Sequence, residues 1–237
     1  SRVLFPRPDA GAPPDAVLLN MAGGLTGGDS IDTDIALAAG AEATVTTAAA
    51  EKVYRSLEGE AEVRVRLSLG EGARLSWLPQ PTIVFDRSRL DRRTEVELAG
   101  NARLLAVETL IFGRAAMGEE VHSGSCRDAW RVRRDGSLVF ADTLRLDGAV
   151  AAALDRPATL AGARAAAMLL YVAADAPRRL AQVRALLEGA GSAAGASTWN
   201  GVLAVRAIAR DGRALQGDIA ALVEALSGRP PPRVWAC

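Results

Sequence analysis

The chain has 237 residues, of which 49% are apolar, enough to bury roughly 70% of its unfolded surface without disulfide or metal staples. Lys and Arg together number 28, as do Asp and Glu, so the basic surplus needed for nucleic-acid binding is missing. Aromatics at 4% give few stacking platforms for single strands, and two cysteines, Cys126 and Cys237, are no disulfide framework and fit a reducing cytosol.

Ser1 opens the chain without a methionine and already in strand-like sequence (Val3, Phe5), so an N-terminal strand region is expected to be truncated. No signal peptide is visible. The most apolar stretch, 149–176, is broken by Asp155, Arg156 and Arg164, which excludes an 18-residue apolar run and reads as soluble. The glycine loop Gly23-Gly24-Leu25-Thr26-Gly27-Gly28-Asp29 lacks the Lys-Ser/Thr of a phosphate loop and carries an acid instead, so tight turns and close strand approach explain it best.

Strands follow with period-2 alternation. Ile31, Thr33, Ile35 and Leu37 alternate with Asp32 and Asp34, and Val63, Val65, Leu67 and Leu69 with Arg64 and Arg66. Strand, tight turn and strand recur around positions 40, 72, 101 and 135, spaced by about 30 residues. That spacing fits a stacked solenoid or, more commonly, a set of hairpins in a sandwich. Two charged and aromatic segments at strand ends suit recognition: Glu51-Lys52-Val53-Tyr54-Arg55-Ser56, and Trp77-Leu78-Pro79-Gln80-Pro81-Thr82-Ile83-Val84-Phe85-Asp86.

His122 is the only histidine, and its partner at four residues, Cys126, sits behind Gly124 rather than on a helix. Soft-metal sites use three or four N/S ligands, so no tight site is expected in one chain. Gly124-Ser125-Cys126 is not a nucleophile elbow. Paired acids (Asp32 and Asp34, Glu51 and Glu58, Glu119 and Glu120) leave open a carbohydrate-active β-solenoid hydrolase, and a generic β-rich interaction module is the other alternative.

In the second half Asp175 with Pro177 starts a helix whose stripe is Leu180, Val183, Leu186 and Leu187, ended by Gly189. The stretch 189–197 reads as small and flexible. Residues 199–208 with an Asp211-Gly212 turn read as a hairpin, and Asp218 as the cap of a second helix ended by Gly228. The tail Arg229-Pro230-Pro231-Pro232 is extended, with Cys237 as a solvated end. No domain boundary is visible in residues 1–237.

Four blocks, in order, resemble the urease accessory protein UreD (UreH) family. They are residues 19–29, Thr46-Thr47 leading to Lys52-Val53-Tyr54-Arg55-Ser56, residues 77–86, and Glu108 followed by Phe112-Gly113-Arg114 and Gly118-Glu119. The resemblance implies a mainly β fold, β-helix-like with stacked strands and two α-helices in the C-terminal half, in a single UreD-like domain. It further implies a non-catalytic scaffold that binds UreF, the GTPase UreG and apo-urease and assists passage of Ni²⁺ through an internal tunnel. No cofactor is then held tightly, and Ni²⁺ is only in transit. Asp29, Glu51, Asp86, Glu108 and Glu119 are the carboxylates in the matching blocks suited to brief, exchangeable Ni²⁺ contact. Lys52, Tyr54, Arg55, Gln80, Phe85, Arg114 and, in the tail, Trp235 are the candidate partner-binding residues.

Overall fold

The computed structural model describes residues 1–7, 13–114 and 117–236; Cys237 lies outside them. Fifteen strands and three helices run in the order β1 (Arg2–Leu4), β2 (Asp15–Leu19), β3 (Ser30–Leu37), β4 (Glu42–Thr47), β5 (Glu51–Val53), β6 (Ala61–Leu69), β7 (Arg74–Leu78), β8 (Thr82–Val84), β9 (Arg89–Leu98), β10 (Arg103–Phe112), β11 (Gly124–Arg134), β12 (Ser137–Gly148), α1 (Val150–Asp155), β13 (Ala165–Val172), α2 (Ala176–Glu188), β14 (Ala193–Trp199), β15 (Val202–Ala209) and α3 (Gly212–Ser227) among the described residues. A short 3-10 turn, Arg233–Ala236, ends them.

The strands form two sheets. Sheet A runs β1-β2-β4-β7-β10-β13-β15-β14, with β5 and β8 continuing the β4 and β7 positions beside the far end of β10. Sheet B runs β12-β11-β9-β6-β3. In the first half each rung is one strand of sheet B, a tight turn and one strand of sheet A, and successive rungs pair in parallel. Ser30 pairs with Glu62 as Glu42 pairs with Arg74, and Leu69 with Leu98 as Ala106 with Trp77, so both sheets advance by the same residue interval at each rung. The turns stack too: Gly40 donates to the Glu71 carbonyl, and Gly100 donates to the Asp135 carboxylate. Three of the recurrent turns are therefore solenoid corners. The fourth is a hairpin, since β11 and β12 are antiparallel in one sheet.

Alternation sorts the core. Leu67, Leu69, Val96, Leu98, Trp130 and Val132 of sheet B meet Leu75, Trp77, Leu104, Leu170 and Val202 of sheet A. The odd residues of β10, Leu105 and Val107, point the other way, with Leu169, Leu203 and Val205, into Val183 of α2 and Leu215, Ile219, Leu222 and Val223 of α3. Strand β10 is thus covered on both faces, which is why its sequence is a near-continuous apolar run.

Three features differ from the sequence reading. Besides the two expected helices there is α1, a short helix seating Val150 and Leu154 against the end of the sandwich. Helix α3 starts about two turns earlier than expected: Asp211, not Asp218, caps it, accepting from the backbone of Arg213 and Ala214. Asp218 lies inside the helix and accepts from the Gly191 and Ser192 amides, fixing the loop before β14. The hairpin is β14–β15, closed by Asn200-Gly201 at positive φ, so part of the stretch read as flexible is an edge strand.

Leu104 is fully enclosed between the sheets. Leu104→Ala is expected to lower unfolding free energy by about 2–5 kcal/mol, read from urea titration followed by circular dichroism.

Candidate functional site: a cavity between the sheets with a buried carboxylate

A cavity of about 890 Å³ lies between the sheets, from the outer strands β1 and β3 to Arg92 and Glu108. Its walls are mostly apolar, with Leu18, Ile35, Val45, Val65 and Trp77 among them. Polar groups punctuate it, from Asp32 and Asp34 at the outer end to Glu51, Arg92 and Glu108 further in. Both oxygens of half-buried Glu51 accept from the Asn20 amide nitrogen at 3.1 Å, and burial pushes its carboxyl above the ordinary range.

At the inner end one guanidinium faces two acids. Arg92 donates to Asp128 through Nε at 3.0 Å and Nη2 at 2.8 Å, a fork joining adjacent strands of sheet B. Its Nη1 donates to Thr82 Oγ1 at 3.0 Å and stands 2.6 Å from Glu108 Oε1 on sheet A. At 2.6 Å that last contact is a charge-assisted ion pair that joins the two sheets. The Trp77 indole N–H, also in the cavity wall, is buried without a partner. With both acids ionised the cluster carries one net negative charge out of water. Burial therefore dominates at Glu108 and pushes its carboxyl up to about 8, against the pull of Arg92. The two acids in turn hold Arg92 above its ordinary value, although burial works the other way. Cys126, on the neighbouring stretch of β11, is pushed up to about 12 by burial and is no nucleophile.

The structure brings two of the five candidate carboxylates, Glu51 and Glu108, to this cavity. The other three serve loops. Asp29 accepts from the Thr26 amide inside the glycine loop. For Asp86 burial is outweighed by the His122 and Ser123 amides, which hold the carboxyl below its usual range. Glu119 receives Arg114 Nε at 2.6 Å. Among the described residues no group of three or more His, Cys, Asp or Glu is arranged to hold a metal ion.

Of the partner-binding candidates, Lys52, Tyr54, Arg55 and Arg114 are exposed and Phe85 is buried beneath them. Tyr54 meets Phe85 edge-on at 5.0 Å, and the Arg114 guanidinium lies 4.5 Å over the same ring. The glycine loop lies against this cluster. A Cβ on Gly24 would sit 2.3 Å from Tyr54 Cε2 and 2.8 Å from the Lys52 carbonyl, so glycine is required by close approach. Gln80 and Trp235 are elsewhere and bind each other's neighbourhood: Gln80 Nε2 donates to the Val234 carbonyl at 2.6 Å, and Trp235 Nε1 to the Leu78 carbonyl at 3.2 Å.

Arg92 and Asp128 escaped the sequence reading, yet a signal existed. Leu90, Arg92, Thr94, Val96 and Leu98 share one phase of β9, and Asp128, Trp130 and Val132 share one phase of β11. A charge in the apolar phase of a strand demands a buried partner.

The family model of the UreD urease accessory protein matches residues 1–236. The chain is 50% identical to the urease accessory protein UreD of Xanthobacter autotrophicus over 99% of its own length and 81% of that relative. It is 49% identical to the UreD of Methylobacterium sp. strain 4-46, over 99% of this chain and 84% of the relative, and 47% identical to that of Azorhizobium caulinodans, over 99% and 86%. The chain belongs to the UreD family. Its role is that of a urease accessory protein, and the stacked-strand body described above is the structure in which that role resides. Among the described residues no helix is long and apolar enough to cross a membrane.

Two outcomes test the charge cluster. Glu108 ordinarily titrates near 4.5 and is raised to about 8 in the fold, so the native state holds a proton that the unfolded chain releases. Its contribution is fully present below pH 4.5 and is lost as pH rises to 8; thermal melts should show Glu108→Gln flattening the decline in Tm across that window. Removing the other acid, Asp128→Ala, takes away the fork that holds Arg92, leaves Glu108 as its remaining acid partner, and is expected to cost about 3 kcal/mol in chemical denaturation.

Proposed function

We propose that this protein is a non-catalytic scaffold of urease maturation in the cytoplasm, binding UreF, UreG and apo-urease and passing Ni²⁺ toward the urease active site through the cavity between its sheets. What supports this reading most is Glu108: a buried acid at the inner end of the cavity, whose cationic neighbour Arg92 is already forked to Asp128. A dication arriving there displaces the proton that Glu108 otherwise holds, and one carboxylate with waters releases the ion again. Glu51 is a second oxygen donor in the same wall, and the distance between a few weak sites is crossed by exchange rather than by tight chelation. The apolar walls keep competing ligands few. Arg92, held by Asp128, fixes the Glu108 carboxyl at the cavity wall through a 2.6 Å ion pair.

Partner binding is assigned to the exposed Tyr54–Phe85–Arg114 cluster, in which an aromatic pair and a stacked guanidinium give the anchor-and-rim composition of protein interfaces. Lys52 and Arg55 form its charged rim. Asp29, Asp86 and Glu119 hold the loops that carry this cluster.

The test is co-expression with the urease subunits and the other accessory proteins, followed by urease activity and nickel content. The double variant Glu51→Gln, Glu108→Gln should still co-purify with UreF and lower nickel loading about ten-fold or more. Tyr54→Ala with Arg114→Ala should instead weaken co-purification. Normal nickel loading by the carboxamide variant would remove the cavity from the pathway and leave an interaction module.

A further inference from the structure

Sheet A is interrupted where it walls the cavity. The parallel ladder of β4 and β7 stops at Thr46 and Leu78, and resumes in β5 and β8 at Glu51 and Thr82. Between them lie Thr47–Ala50 on one side and Pro79–Pro81 on the other, and two prolines have no N–H to donate. The pairing of β10 has the same gap, from Val107 to Thr109, which contains Glu108. Side chains replace the missing ladder: the Gln80 amide donates to Thr47 Oγ1 at 2.8 Å, and Thr46 Oγ1 donates to the Leu78 carbonyl at 2.6 Å. Thr47, Ala50, Pro79 and Gln80 all line the cavity from inside.

The C-terminal turn covers the same break from outside. The Trp235 indole N–H reaches Thr46 Oγ1 at 3.3 Å and the Leu78 carbonyl at 3.2 Å, and its ring packs with the helix-side core. Gln80 belongs to both sides: it lines the cavity, and its side-chain amide ends on the Val234 carbonyl. None of the residues in the turn is buried, and the preceding Pro230–Pro232 segment is a stiff lever rather than part of a sheet or helix.

We propose that the turn Arg233–Ala236 is a strap over a second mouth of the cavity, opening through sheet A between Thr47–Ala50 and Pro79–Pro81, and that its release joins the cavity to the helix-bearing face. The bonds that close the wall and the bonds that hold the strap share Thr46, Leu78 and Gln80, so undocking Trp235 loosens the break itself. The mouth is next to Glu108 across the gap in β10. This inference needs the cavity but not the identity of what passes through it.

The test uses the full chain with Cys237→Ser and a reporter thiol, Val45→Cys, in the cavity wall two residues from the break. Its labelling rate with a small charged methanethiosulfonate is compared in the parent, Trp235→Phe and Trp235→Ala. Trp235→Ala should label about five-fold faster or more, with Trp235→Phe, which keeps a ring but loses the N–H, between the two. A second reporter, Val205→Cys on the helix-covered side, should not change. Equal Val45→Cys rates in all three chains, or equal acceleration at Val205→Cys, overturns the strap. Nickel plays no part in this assay, so its outcome is independent of urease activation.

Discussion

Parallel stacking of unequal rungs is the constraint under which this chain folds. Each strand of sheets A and B must pair with the one a rung earlier, and both sheets are fed by the same turn. An insertion in a rung therefore has to leave through the outer connection, never at the corner. The corners obey this. Gly40, Gly72 and Asn101 fall on top of one another, close enough that a Cβ on Gly72 would be 3.6 Å from the Asn101 side chain and 3.8 Å from Gly40. The connections from sheet A back to sheet B vary freely and carry the glycine loop, Tyr54 and Phe85. Regular corners and irregular returns put the glycine loop, Tyr54 and Phe85 on one side of the body and leave the corner side plain.

The same constraint explains how much was legible. Alternation in β3, β6 and β9 is strict because each has one face on the core and one in water, so those strands could be read directly. The choice between solenoid and hairpin could not, because both give a strand, a glycine and a strand; only the direction of pairing separates them, and pairing is non-local. The chain uses both, switching to a hairpin at Asp135-Gly136. The start of α3 was misread because two aspartates precede apolar stripes, and what decides between them is that Leu215, ahead of Asp218, is already buried against β13 and β15. Residue chemistry in the site was half legible: Glu51 and Glu108 were named with Asp29, Asp86 and Glu119 as acids of the matching blocks, whereas the partners that hold Glu108 needed the register of β9 against β11.

That register turns a costly feature into an arrangement. Arg92 and Asp128 are directly paired residues of adjacent parallel strands, so their fork is built by the ladder itself. Glu108 arrives from the opposite sheet, where the alternation of β10 sends even residues inward. A second acid against an already satisfied guanidinium gains little and is desolvated fully, which is why its carboxyl is pushed upward despite a cation at 2.6 Å. An apolar residue there would pack with Leu104 and Ala106 at no such cost.

Stability alone gives no reason to keep Glu108, and the surroundings give none either. Trp77, whose indole N–H is unmatched, lies in the same cavity wall, and the ladders that join β7 and β8 to β10 and to β4 and β5 are interrupted there. A β-body can repair such a break with one backbone pair; here two prolines prevent it. A desolvated acid, an unpartnered indole N–H and an interrupted ladder thus occur at one level of the stack, where the chain gives up apolar packing and backbone pairing together.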